Sequence, residues 1–282
     1  MDLRGGFSRA CRHSGLAMLL VGLAPVLTGC AHAMLTPERQ MQLGAQAHEQ
    51  YRKERGLVED AVINNYVAEV GHRLAEHAPL EEQMEYQFFV VDAPEVPNAT
   101  AAPGGYIHVY TGLLTTFENE AQLAAVLGHE IGHITQEHYV QRLSQAQAAG
   151  LAQGILAQTG AGAVAQLGAG AVSEVMLKAF SREREIEADL IGVDLMWKAG
   201  YNPEAAADVW QIFYEKRDTG SFPLFSTHPP DEARVETLRE YVAENYPEAE
   251  RNNRPMFDER YQELVLDRLA NGGGARGAEE SP

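Results

Sequence analysis

The chain has 282 residues, 45% hydrophobic and 22% charged, the balance of a globular protein and not of a disordered one. A formal charge of −18 argues against nucleic acid as a partner, because phosphate binding needs a basic face, and against charge-driven docking on anionic lipid. The two cysteines, Cys11 and Cys30, both lie near the N-terminus, which leaves no disulfide framework or thiolate metal site downstream.

Residues 1–29 read as a targeting leader. Arg4, Arg9 and Arg12 make a positive n-region, and Gly15 to Leu27 is an apolar h-region too short to span a bilayer comfortably. Leu27-Thr28-Gly29-Cys30 resembles the bacterial lipobox, which implies cleavage before Cys30 and a lipid on its sulfur. Removing the leader takes the formal charge from −18 to −20. Ala31, where an aspartate would signal inner-membrane retention, favours the outer membrane.

A single domain is expected over 30–270. Thr36-Pro37-Glu38 opens a helix to about Arg55, and a second follows Asp60, with Val62, Ile63, Tyr66, Val67, Val70 and Leu74 at helical spacing. Met84 to Asp92 reads as a strand. Pro103-Gly104-Gly105 marks a turn into a second strand, Tyr106-Ile107-His108-Val109-Tyr110, whose open edge could take an extended peptide. His108 is expected to be an exposed strand residue.

Gly128-His129-Glu130-Ile131-Gly132-His133 follows, an H-E-x-x-H run in an apolar helix expected from Glu118 past Arg142. Histidines four apart leave one helix face together and can share a tetrahedral Zn²⁺. Glu130, next to the first of them, can serve as general base to an attacking water. His138, nine residues after His129, falls half a turn out of phase and is expected to point away. Leu143 to Ser173 carries no charge, and its glutamines favour a helical lid or loop over a membrane span.

Ser181 to Asp189 begins a helix that ends at Gly200. Glu185 and Asp189 share one face, with Glu183 and Glu187 roughly opposite. That face could give a third ligand from Glu185 and, from Asp189, an acceptor for a ligand histidine's other nitrogen. Further helices are expected over Pro203 to Lys216, with Trp210 in the core, over Glu232 to Glu244, and over Asp258 to Leu269. His228 stands before two prolines that stiffen its loop, and the Gly-rich 271–282 reads as a disordered tail.

Four blocks carry a resemblance: Asn98 to Leu114, Gly128 to His133, Ser181 to Gly192 with Glu-x-x-Ala-Asp, and Ser226-Thr227-His228-Pro229-Pro230 leading to Arg234. In order and spacing they are similar to the HtpX-like and CAAX prenyl protease-type zinc metallopeptidases, in their periplasmic lipoprotein branch. The resemblance implies an α+β fold, mostly helical, with a small β-sheet beside the H-E-x-x-H helix. It implies one Zn²⁺ per chain on His129, His133 and Glu185, Glu130 as base, Asp189 behind the ligands, and His228 and Arg234 near the metal and the reacting carbonyl. It also implies extended protein substrates, a membrane link through Cys30 and outer-membrane assembly machinery as a partner. Thr100 departs from the family, which often carries an aromatic there, and no internal repeat follows the core. A metzincin would need Gly at 136 and His at 139, where this chain has Gln136 and Tyr139.

Zinc-assisted peptide hydrolysis is therefore the expected reaction. An assembly chaperone with a self-blocked zinc site is the competing expectation. His228 separates the two, since a loop imidazole can either donate to the oxyanion or occupy the metal's fourth position.

Overall fold

The computed structural model describes residues 35–146, 178–217 and 224–272. The expected leader with Cys30, most of the uncharged stretch and the residues beyond Gly272 lie outside the described residues.

Thr36 caps α1 (Pro37–Glu54) by accepting from the Arg39 amide at 3.4 Å, and Pro37 sits where a missing N–H costs nothing. Asp60 caps α2 (Ala61–Ala75) through the amides of Val62 and Ile63. The buried stripe of α2, with Val67, Val70 and Leu74 fully covered, packs on the first strand and on the H-E-x-x-H helix.

The strands are β1 (Gln87–Val91), β2 (Ala99–Ala102) and β3 (Tyr106–Tyr110), in the order β1-β3-β2. The turn after Pro103 folds β3 antiparallel onto β2, and β1 pairs parallel with its other side, from Gln87 opposite Tyr106 to Val91 opposite Tyr110. This corrects the expected substrate strand: Tyr106, Ile107, His108, Val109 and Tyr110 form the central strand, so both their edges are taken. The outer strands are β1 and β2.

His108 is also corrected. It is fully buried because α1 covers that face of the sheet, and its Nε2 lies 3.1 Å from His48 Nδ1. Burial, reinforced by facing His48, pushes its pKa down to about 3.

After α3 (Thr111–Leu114), Asn119 caps α4 (Glu120–Thr135), the H-E-x-x-H helix. Glu120 is fully buried at its start and receives hydrogen bonds from the Tyr66 and Tyr201 hydroxyls, both 2.7 Å, and from Arg260 Nη1 at 2.8 Å. A buried carboxylate is tolerated when its oxygens are matched in this way.

The helix stops short of its expected end. The Gln136 amide still reaches the Gly132 carbonyl at 3.1 Å, but the Glu137 amide shortens its reach to Ile134 at 2.9 Å, and the Gln141 side chain takes the Gln136 carbonyl that a continuing helix would have used. Glu137 takes a left-handed φ of 53°, and the chain restarts as α5 over 138–146.

Beyond lie α6 (Arg182–Lys198), α7 (Glu204–Lys216), α8 (Leu224–Thr227), α9 (Glu232–Asn245) and α10 (Glu248–Arg251). The helix expected from Asp258 forms as α11 (Asp258–Tyr261) and α12 (Asp267–Ala270) around a wider π turn at Gln262–Leu266. No helix among the described residues is long and apolar enough to cross a membrane.

His108 makes acid stability testable. The fold excludes its protonated form, whereas the unfolded chain takes up the proton below about pH 6.5. Stability should therefore fall as pH drops through 6.5 and keep falling toward 3, by about 1.4 kcal/mol per pH unit from this residue. Denaturant titrations of His108→Phe between pH 6 and 4 should show a correspondingly shallower loss. Identical slopes in the two proteins would refute the assignment.

Candidate metal centre

Helices α4 and α6 meet on residues that lack side chains. A Cβ on Gly132 would stand 2.7 Å from the Ala188 carbonyl oxygen, and one on Gly192 would stand 2.9 Å from the His129 amide nitrogen. With nothing between the backbones, His129 and His133 on α4 face Glu185 and Asp189 on α6 across a short gap. His228 enters from the end of α8, its amide bonded to the Leu224 carbonyl at 2.7 Å.

His129, His133, Glu185 and His228 are all buried, and one donor atom from each lies within 4.8 Å of the others. His129 Nε2 is 3.1 Å from His133 Nε2 and 3.1 Å from His228 Nδ1. Glu185 Oε1 is 3.1 Å from His228 Nδ1 and 3.5 Å from His133 Nε2, while its Oε2 is 3.6 Å from His129 Nε2. Donors about 2.0–2.1 Å from a tetrahedral ion stand roughly 3.3–3.4 Å apart, so this donor set has the spacing of a metal cage.

The protonation states suit ligands. Burial holds His133 well below the usual histidine range, so it is neutral. For Glu185, burial alone would raise the pKa, but the facing His228, His133 and His129 outweigh it and hold the carboxyl well down.

Asp189 lies behind the cluster, with Oδ1 2.7 Å from His129 Nδ1. Arg234, expected near the metal and the reacting carbonyl, turns its donors to the carboxylates in and behind the cluster. Its Nε and Nη2 both donate to Asp189 at 2.9 Å, its Nη1 reaches Glu185 Oε2 at 2.9 Å and the Pro229 carbonyl at 3.1 Å, and its plane lies over Trp210. These Arg234 donors are committed to carboxylates and the His228 loop. Trp210, read as core, serves as its platform.

Glu130 is fully buried, and its Oε2 accepts from the Tyr139 hydroxyl at 3.2 Å. That hydroxyl also accepts from the Ala101 amide of β2 at 3.4 Å, and burial next to Glu130 raises its pKa well above the ordinary value, so it stays a donor. Glu130 Oε1 has His228 Nε2 at 3.4 Å. Tyr139 was invisible as a site residue in sequence, because only the break at Glu137 swings it inward.

The same break corrects His138. Its ring is buried, with Nδ1 2.8 Å from His133 Nδ1, and Glu187, half-exposed on α6, lies 3.3 Å from its Nε2. A continuous helix would have turned it half a revolution away.

The sequence profile of peptidase family M48 matches residues 62–242, a span that holds every donor named above. The chain belongs to peptidase family M48. Among curated proteins it is similar to the beta-barrel assembly-enhancing protease of Escherichia coli K12, 27% identical over 226 residues, which are 76% of this chain and 46% of that protein. A putative beta-barrel assembly-enhancing protease of Vibrio cholerae is 30% identical over 237 residues, 79% of this chain and 48% of that one. The mitochondrial metalloendopeptidase OMA1 of Arabidopsis thaliana is 34% identical over 157 residues, 56% and 32%. The chain spans about half the length of the bacterial relatives it matches.

Proposed function

We propose that the chain is a zinc-dependent endopeptidase of the bacterial cell envelope, binding one Zn²⁺ through His129, His133 and Glu185. The observation that carries this reading is the buried cage of three nitrogens and a carboxylate oxygen at tetrahedral spacing. When bound, zinc supplies Lewis acidity, acidifying a water toward about pH 7 and polarising a carbonyl.

The chain's own residues supply the remainder. Glu130 takes the proton of the attacking water on Oε1 and returns it to the leaving amine, with Tyr139 holding its other oxygen. Asp189 fixes the His129 ring, and Arg234 fixes Asp189. Substrates in extended form would pair with the outer side of β2 by displacing the Tyr139 hydroxyl, which links the Ala101 amide to Glu130. The names of the bacterial relatives support misfolded or misassembled envelope proteins as substrates, and outer-membrane assembly machinery as a partner.

In the resting state His228 would hold the metal as a fourth donor. Its Nδ1 stands in the cage while its Nε2 faces the free oxygen of Glu130, so one ring occupies the positions of both water and proton. The same geometry favours a second reading, an assembly chaperone whose site is self-blocked. Residue 30 carries a lipid in our reading, anchoring the protein in the periplasm at the outer membrane, and the lipobox-like Leu27-Thr28-Gly29 supports this.

Metal analysis should find one zinc in wild type and in Glu187→Gln, and a large loss in Glu185→Gln. Glu130→Gln should keep the metal yet cleave an unfolded protein 10²–10⁴-fold more slowly. If zinc stays in Glu185→Gln and leaves Glu187→Gln, the ligand assignment is wrong. Full cleavage by Glu130→Gln would remove it as the base.

His228→Ala with zinc retained should cleave faster than wild type. A fall of about 10²–10³ in turnover would instead mark the ring as an oxyanion donor, and no cleavage by either protein would favour the chaperone reading. Cys30→Ser, expressed in a bacterial envelope, should lose both its acyl mass and its membrane fraction. Persistent membrane association without the acyl mass would point to a different anchor.

A further inference from the structure

The two histidines of α4 are supported differently from behind. His129 meets a carboxylate directly, whereas the outer nitrogen of His133 meets a second imidazole. Given the zinc site proposed above, on which this inference rests, the tautomers follow in order. His133 turns Nε2 toward the cage, so its proton sits on Nδ1. That N–H donates to His138 Nδ1 at 2.8 Å, which must then be a bare acceptor. The proton of His138 therefore sits on Nε2, 3.3 Å from Glu187 Oε2.

We propose that His138 is a positioning residue for the metal centre, linking the ligand His133 to Glu187 through a directional chain of N–H donors. It does for His133 what Asp189 does for His129, with an imidazole between ligand and carboxylate. The chain locks the His133 ring in the orientation that presents Nε2 to the ion and raises its basicity, the usual effect of an acceptor on a ligand histidine's far nitrogen. Two features of this fold build it. The left-handed Glu137 shifts the phase so that His138 faces α6, and Glu187, on the solvent side of α6, reaches round to meet it.

The placement accounts for a carboxylate that the ligand set leaves over. Glu187 is half-exposed and lies outside the donor cage, yet its oxygen is within reach of a buried ring. Solvation of the carboxylate removes the cost of burying another charge, while the neutral imidazole carries the hydrogen bond inward. Asp189, wholly buried, needs Arg234 for the same purpose.

The test is zinc affinity, measured by competition with a chelating dye, alongside the melting temperature of the metal-free protein. His138→Leu fills the space without an acceptor, and His138→Asn restores an acceptor oxygen where Nδ1 stood. We expect His138→Leu to bind zinc 10–100-fold more weakly, His138→Asn to bind close to wild type, and the two metal-free proteins to melt together. Wild-type affinity in His138→Leu would overturn the proposal. So would equal weakening in both variants, because a packing role is not rescued by an acceptor. If wild type itself binds no zinc, the metal reading fails first and takes this inference with it, a result distinguishable from either of the others.

Discussion

The site depends on two helices being allowed to touch. Gly128 and Gly132 on one side, and Ala188 and Gly192 on the other, bring the backbones of α4 and α6 together, so that short side chains from both can meet. A histidine ring extends only a few ångströms beyond its Cα, and a carboxylate a similar distance. Any larger residue at the crossing would force the helices apart, and overpacking of this kind typically costs about 1–3 kcal/mol before any ligand geometry is lost. The H-E-x-x-H pattern supplies donors. The glycines supply the distance.

Bringing three carboxylates into one buried region creates an electrostatic debt that the surrounding residues offset. Glu130, Glu185 and Asp189 are each under 5% exposed. Arg234, itself buried, is shared between Asp189 and Glu185 and is held flat by Trp210. Removing one partner from such a network leaves an unmatched buried charge, which is more costly than never having the pair.

The far end of α4 is held just as firmly. Glu120 gathers hydroxyls from α2 and from the loop after α6, and a guanidinium from α11. The helix carrying the donors is thus pinned at its N-terminus by the polar cluster and near its C-terminus by the glycine crossing. Its position between the sheet and α6 leaves little freedom for the rings to move, the rigidity a preorganised site needs.

Much was determined by local pattern alone. The caps at Thr36 and Asp60, the turn at Pro103, the helix through Glu185 and the shared face of His129 and His133 all follow from rules acting within a few residues, and all are present in the fold. The family was legible for the same reason, because its motifs are short and in fixed order. What only the tertiary structure decided was everything set by long-range pairing or a change of phase. Whether β3 is an edge or a centre depends on β1 arriving beside it, and no residue in β3 encodes that. The exposure of His108 depends on α1 lying across the sheet, and Arg234's partners lie 45 and 49 residues away in sequence. His138 and Tyr139 reach the metal centre because one residue, Glu137, adopts a left-handed backbone that its identity does not announce. Helical phase can be counted from sequence only while the helix lasts, and here it ends at Thr135, three residues before His138.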